Sequence, residues 1–189
     1  MRIILPPDFS GRKYGYDYRF VNEDDAEFIV KIRTNPKVGG FLHKTSNDIE
    51  AQKKWIREYK KREREGLDYY LIYSNNGIRC GVNRIYNIQE NGTFTTGSLV
   101  FDDNMPTEAI VASSLISNEI AFELLGLNYN YSPDGTHINN KKVIKFNKMF
   151  GMVYDGQRES EDGIFLTGGI KKEDFYRCAA NVKRIMNMK

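Results

Sequence analysis

The stretch Ser98–Ser113, SLVFDDNMPTEAIVAS, decides how this chain is read. "SLVF" ends a run of strand character. Asp102 to Pro106 form a turn, and from Ala109 the apolar residues recur at helical spacing. A strand that passes through a short turn into a helix is where many folds hold a phosphate, because the first helical turn offers unpaired N–H groups and the positive end of the dipole. This turn has no glycine and carries Asp102, Asp103 and Glu108. It reads as an anion site, an altered anion site or a plain connection, and the flanking sequence has to discriminate.

Toward the C-terminus, Ala109, Ala112, Leu115, Ile116, Ile120 and Leu124 extend an amphipathic helix over Pro106 to Leu125, closed by Gly126 as a C-terminal cap. "LNYNYS" from Leu127 is the next strand. A helix from near Asn140 carries Val143, Ile144, Phe146 and Phe150 before Gly151, then "MVYDGQ" and "GIFLTGGI" read as late strands. Phe175, Ala179, Val182 and Met186 share one face of a terminal helix, about residues 172–188.

Toward the N-terminus, "LDYYLIYS", "IRCGVNRIYNI" and "GTFTTGSLVF" are separated by "NNG" and "QENG" and predict an antiparallel meander. Two helices precede them. The first follows the strand "YDYRFV", places Ala26, Ile29, Val30 and Arg33 at helical spacing, and stops at Pro36. The second carries Ile49, Trp55, Ile56 and Tyr59 and ends near Gly66; Asn47 with Glu50 reads as its capping box. The series is β α α β β β α β α β β, followed by a helix.

Composition sets the outer limits. The 189 residues, 40% hydrophobic and 28% charged, suit one globular domain over residues 1–189. No run approaches the roughly 18 apolar residues of a membrane span, and "MRIILPPDFS" is broken too early by prolines for a signal peptide, so a cytoplasmic protein is expected. Cys80 and Cys178 lie far apart with no CxxC spacing or neighbouring histidine; neither a disulfide framework nor a metal site is expected. A net charge of +3 is too small to argue for nucleic acid, though it suits an acidic partner such as a carrier protein. "KKWIREYKKREREG" interleaves glutamates with its basic residues and reads as a solvated helix face.

The order of elements resembles the GNAT superfamily of N-acetyltransferases over nearly the whole chain, and particular residues carry the likeness. "IRTNPKVGGFLHKTSNDIEAQKKWI" is similar to the segment of ribosomal-protein-type and sugar-directed acetyltransferases that reads W-R-N-x-P, a loop, then a helix with a tryptophan; Arg33, Pro36, Phe41 and Trp55 sit at matching places. "IAFELLGLN" resembles the family's Y-A-F-E-x-L-G, and Asn140, Gly151 and Met152 match its N-x-x-S/A-x-x-x-x-x-x-G-F element. The implied fold is α+β: a mixed, mostly antiparallel central sheet flanked by helices, here with an extra C-terminal helix.

The resemblance also implies a donor and a site. Acetyl-CoA would lie in a V-shaped split between Gly97–Phe101 and Leu127–Tyr131, its pantetheine along Leu99, Val100 and Phe101. Its pyrophosphate would meet Asn104, Thr107, Glu108, Ala109 and Ile110, with Asn140 and Asn147 on the helix after the second of those strands. The family holds the pyrophosphate in a Q/R-x-x-G-x-G/A turn, where glycine permits close approach. Here those glycines fall near Glu108 and Ile110, the basic position falls near Met105, and nothing from Phe101 to Ser117 is glycine, lysine or arginine. The acids favour the helix dipole themselves and oppose a diphosphate, and Asn104 or Thr107 would serve as N-cap, so the turn reads as self-capped.

Acyl transfer needs a base or water chain for the amine proton, donors for the oxyanion and an acid for the thiolate. Asn147 stands where the family often has an acidic tyrosine, and Gly97 where it often has a glutamate. The resemblance leaves His43 as base, or as an exposed loop histidine, and Tyr131 or Tyr154 as acid. Arg33, Phe41 and His43 would face the acceptor; Arg33 either pairs an anionic acceptor or fastens the first helix to the sheet. His137 faces either the cleft or solvent. The expected reaction is acetyl transfer from acetyl-CoA to a small-molecule or peptide amine: an amino sugar, a nucleotide-linked sugar or a protein N-terminus. The alternatives are an acyl carrier protein as donor, or a non-catalytic binding module. A homodimer is compatible with this reading; nucleic acid and membrane are not expected partners.

Overall fold

A computed structural model describes residues 2–37 and 46–188 of the chain. Eight strands form one sheet: β1 (Ser10–Lys13), β2 (Tyr16–Phe20), β3 (Tyr69–Asn75), β4 (Ile78–Tyr86), β5 (Thr93–Phe101), β6 (Tyr129–His137), β7 (Val153–Ser160) and β8 (Gly163–Lys171), in the spatial order β1-β2-β3-β4-β5-β6-β8-β7. Every neighbouring pair is antiparallel except β5 and β6, which are parallel. The helices are α1 (Ala26–Thr34), α2 (Ile49–Arg64), α3 (Thr107–Glu119), α4 (Lys141–Met149) and α5 (Lys172–Ile185). None is long and apolar enough to cross a membrane among the described residues.

The period-two alternation of a strand sorts the core into two layers. Tyr69, Leu71 and Tyr73 of β3 join Leu115, Ile116, Phe122 and Phe175 under α3 and α5. Tyr70 and Ile72 point the other way and join Ile29, Ile32, Ile56 and Tyr59 under α1 and α2. The open end of the sheet, β7, carries mostly exposed residues.

The structure differs from the sequence reading in four places. The N-terminal arm contains a further strand, β1, too short and polar to show periodicity. The second helix is capped by Asp48, whose carboxylate accepts from Ala51 N at 3.0 Å, one residue beyond Asn47; both residue types cap well, so sequence alone does not separate them. The cap of α3 is Pro106, which has no side-chain donor or acceptor, rather than Asn104 or Thr107. Asn104 folds back onto Asp102 instead.

The fourth difference is α3 itself. It is no surface helix with a polar face: residues Val111 to Glu119 are all buried, including Ser113, Ser114, Ser117, Asn118 and Glu119. Its last turn widens to a π-helix over Ile120–Leu124, and Gly126 at φ +66° ends it as expected. Lys172 Nζ donates to Phe122 O at 3.0 Å and satisfies one carbonyl of that turn.

Glu119, 4% exposed, is held by three groups from distant segments. Lys183 Nζ and the Tyr14 hydroxyl donate to its Oε1 at 2.7 and 2.6 Å, and Lys13 Nζ lies 2.7 Å from Oε2. Burial pushes its pKa up, but hydrogen bonds from Lys13, Lys183 and Tyr14 outweigh burial and leave it below the usual glutamate value. A carboxyl whose folded pKa is depressed stabilises the fold above its unfolded pKa, near 4.5, and loses that contribution as pH falls through the folded value. Wild type should therefore lose melting temperature on acidification through this window more steeply than Glu119→Gln, measured by circular dichroism. Parallel slopes would remove Glu119 from the acid response.

Candidate functional site

Strands β5 and β6 are paired only at Thr93↔Tyr129 and Phe94↔Asn130, after which they diverge toward Phe101 and His137. The cause lies in β5. Against β4, Val82 pairs Val100 and Arg84 pairs Gly97, so Ser98 and Leu99 together oppose the single residue Asn83. This is a β-bulge, with Ser98 in the left-handed region at φ +52°, and a bulge bends its strand and sharpens its twist. Beyond the throat, β5 has no strand partner on its β6 side among the described residues, which leaves an edge an extended chain can add to.

The throat is pinned by side chains. Asn130 Nδ2 donates to Asn118 Oδ1 and Thr96 Oγ1, both at 2.8 Å, and its Oδ1 accepts from Thr96 N at 3.1 Å. Thr95 Oγ1 donates to Tyr131 O at 2.7 Å. On the α3 side, Asn83 Nδ2 donates to Ser117 Oγ at 2.9 Å and secures the strand opposite the bulge.

The turn after β5 is acidic but not bare. Lys31 Nζ lies 3.0 Å from Asp102 Oδ2, and Lys37 Nζ lies 2.9 Å from Asp103 Oδ2. Hydrogen bonds from Lys31 and then the Asn104 amide hold the Asp102 carboxyl below its usual range. Three amides of the turn are already engaged: Asn104 N to Asp102 Oδ1, Met105 N to Asp102 O, and Ala109 N to Pro106 O. Thr107 and Glu108, the first residues of α3, precede any intrahelical partner and are exposed. Of the residues expected around a donor, Leu99 is half-buried, whereas Val100 and Phe101 turn their side chains into the two cores. Ile110 is half-buried behind the helix start.

The remaining expected residues are distributed around the split. Asn140 caps α4, accepting from Val143 N at 3.3 Å. Asn147 Nδ2 donates to the Tyr154 hydroxyl at 3.1 Å, and Tyr154 donates to Thr136 Oγ1 at 3.4 Å, so the tyrosine hydroxyl from β7 meets the asparagine on α4. Tyr131 stacks on Tyr129, ring centroids 5.7 Å apart. His137 accepts from Asn139 N at Nδ1, 3.1 Å away, and its Nε2 lies 3.1 Å from Asp162 O, fastening it to the β7–β8 turn. Arg33 hydrogen-bonds the Tyr70 hydroxyl; burial pushes that phenol up to about 12, with Arg33 and Arg84 pulling against it. Phe41 and His43 lie outside the described residues.

The face of β4 toward α1 and α2 holds a group that sequence reasoning missed. Arg84 binds Asp68, with Nε at 3.2 Å from Oδ1 and Nη2 on Oδ2, and its guanidinium lies 5.1 Å from the Trp55 ring and 4.7 Å from the Tyr86 ring. Arg62 shares Asp68 at 3.1 Å. A hollow of about 290 Å³ opens beside Arg62, Asp68, Arg84 and Tyr86. The one signal available was Gly97, since glycine inside a strand marks a close approach.

No protein-family model matches the sequence, and no curated protein matches it. Solved structures do. Apo FdhC, a nucleotide-linked sugar GNAT, is 28% identical, with a TM-score of 0.78 over 94% of this chain and 98% of that one. RimJ of Mycobacterium smegmatis, in complex with CoA-disulfide, is 16% identical with a TM-score of 0.77, covering 96% of this chain and 95% of that one. A ribosomal-protein-S5-alanine acetyltransferase from Vibrio fischeri is 15% identical with a TM-score of 0.75, covering 89% and 99%.

Proposed function

From a fold that places the chain in the GNAT superfamily, we propose an N-acyltransferase that moves an acetyl group from acetyl-CoA to the primary amine of a nucleotide-linked sugar, another amino sugar or a protein N-terminus. Acyl transfer in general is supported by acetyltransferase neighbours. One observation carries the cofactor: the divergence of β5 from β6 leads from a strand edge to a helix start, and among the described residues neither that edge nor the amides of Thr107 and Glu108 have a partner. The FdhC likeness supports a nucleotide-linked sugar first among the acceptors.

In this reading the β5 edge binds the pantetheine amides, and Thr107 and Glu108 N–H donate to the pyrophosphate. Lys31 and Lys37 offset the charges of Asp102 and Asp103, so the turn opposes a diphosphate less than its sequence suggests. Tyr154, whose hydroxyl accepts from Asn147 Nδ2 and donates to Thr136 Oγ1, would in this reading turn that proton to the departing thiolate. A second reading keeps the chemistry but takes the acyl group from a carrier protein; the lack of any glycine or basic residue in the turn favours it.

Thermal melting separates the two. A Kd of about 100 μM gives about 1.4 kcal/mol at ~1 mM acetyl-CoA, or about 3–6 °C for a chain of this size. No shift with acetyl-CoA, but a shift with acylated carrier protein, would transfer the assignment to the second donor. Liberation of free thiol from acetyl-CoA in the presence of UDP-glucosamine tests the acceptor.

A further inference from the structure

Among the described α-helices, α4 alone breaks the charge rule of a helix start. Each of the others has an acid in its first turn: Glu27 in α1, Glu50 in α2, Glu108 in α3, Glu173 and Asp174 in α5. α4 has none there and opens with Lys141 and Lys142, against the positive end of its own dipole. Lys145 and Lys148 follow at helical spacing from Lys141, so three ammonium groups share one stripe and repel one another. All four lysines are exposed, and none has an ion-pair or hydrogen-bond partner among the described residues. No acid occurs between Asp134 and Asp155, and the whole chain carries only +3, so without these four lysines it would be net negative. The other faces of α4 fix its place. Phe146 and Phe150 turn inward, Phe150 stacking on Phe175 of α5 with ring centroids 6.3 Å apart. Asn147 reaches Thr136 of β6 and Tyr154, so the helix stands on the β6 wall of the split. Met149, 41% exposed, lies one turn from Lys145 on the cationic side.

We propose that this lysine face docks the acidic surface of an acyl carrier protein, whose phosphopantetheine arm then enters the split along β5. The inference deepens the carrier-protein reading and rests on it. Such an arm offers the strand edge the same amides as coenzyme A, but it ends on a protein through a single phosphodiester. It therefore needs no diphosphate grip from the turn after β5, which has no glycine or basic residue of its own. The cationic charge that this turn lacks stands on α4 instead, outward and unpaired, where an acidic partner meets it. A lipid surface fits less well. Binding one takes bulky apolar residues beside the cations, and both phenylalanines of α4 are packed into the core.

Surface plasmon resonance of the whole chain against an acetyl-loaded carrier protein tests the face. Lys145→Glu combined with Lys148→Glu should weaken binding about tenfold or more at ~50 mM salt, mainly through slower association, and the difference should shrink at ~0.5 M salt. Lys54→Glu combined with Arg64→Glu makes the same change of charge on α2, across the sheet, and should bind within about twofold of wild type. Lys141→Glu combined with Lys142→Glu should also lose the carrier while its melting temperature holds or rises, because acids then replace lysines at a helix start; its loss of binding is not a loss of folding. Acetyl-pantetheine, the arm without the protein, should bind every variant alike. Carrier binding that ignores both α4 variants, or falls as far in the α2 variant, overturns the docking face. So does a face that answers to another ligand: acetyl-CoA binding lost in the α4 variants with no affinity for the carrier, or phosphatidylserine vesicles bound in the carrier's place. A carrier that docks on α4 but transfers no acyl group upholds the face and fails the donor reading. One that donates equally to wild type and the α4 variants upholds the donor and fails the face.

Discussion

Asn130→Ala should lower stability by about 2–4 kcal/mol, because it strands a buried acceptor and a half-buried donor at once. Asn118 Oδ1 loses its donor and Thr96 N its acceptor, and Asn118 is only 4% exposed. For a chain of this size that corresponds to a fall of about 5–15 °C in melting temperature. The same side chain sets the point where β5 leaves β6, so acetyl-CoA binding should weaken with it, measured by calorimetry at a temperature where the variant remains folded. Asn130→Asp is the informative companion. It keeps an acceptor for Thr96 N but turns an oxygen toward Asn118 Oδ1, and its buried carboxylate should make the variant gain stability as pH falls. A loss below about 1 kcal/mol in Asn130→Ala would mean that water replaces the amide at the throat, and that the backbone pairs Thr93↔Tyr129 and Phe94↔Asn130 alone define the split.

The parts of this fold that repeat along the chain were legible in its sequence; those that join distant segments were not. Helical spacing at Ala109, Ala112, Leu115 and Ile116 and the continuous apolar run in "LDYYLIYS" report local burial, and these elements stand where the sequence placed them. The pairing of Asp102 with Lys31 and of Asp103 with Lys37 spans 71 and 66 residues and has no local signature. The acids of the turn therefore read as uncompensated although α1 and the segment after it supply two cations. Likewise Tyr86 and Gly97 meet only through the register of β4 against β5, which sets Arg84 opposite Gly97 and Tyr86 opposite Thr95. The missing glutamate was visible as Gly97, but the phenol standing over that glycine was not. Buried Ser113, Ser117 and Asn118 were unreadable for the same reason. A polar residue at helical spacing announces solvent unless its partner, here Asn83 or Asn130, is known.

Thr107→Pro should weaken acetyl-CoA binding by about 10-fold or more while leaving the free protein's stability within about 1 kcal/mol. The substitution deletes one N–H and little else. Thr107 is the first residue of α3, a position proline favours, and Pro106 before it already has φ −68° and ψ 155°, the extended conformation that a following proline demands. A hydrogen bond to a charged group contributes about 1.5–3 kcal/mol, which sets the size of the loss. Thr107→Ala keeps the amide and should bind within about twofold of wild type, separating the backbone donor from the hydroxyl. Pantetheine without its diphosphate should bind Thr107→Pro and wild type alike. If acetyl-CoA does not distinguish them either, the diphosphate does not rest on the start of α3. The acidic turn between β5 and α3 would then be a connection held by Lys31 and Lys37, and a donor without a diphosphate would become the stronger reading.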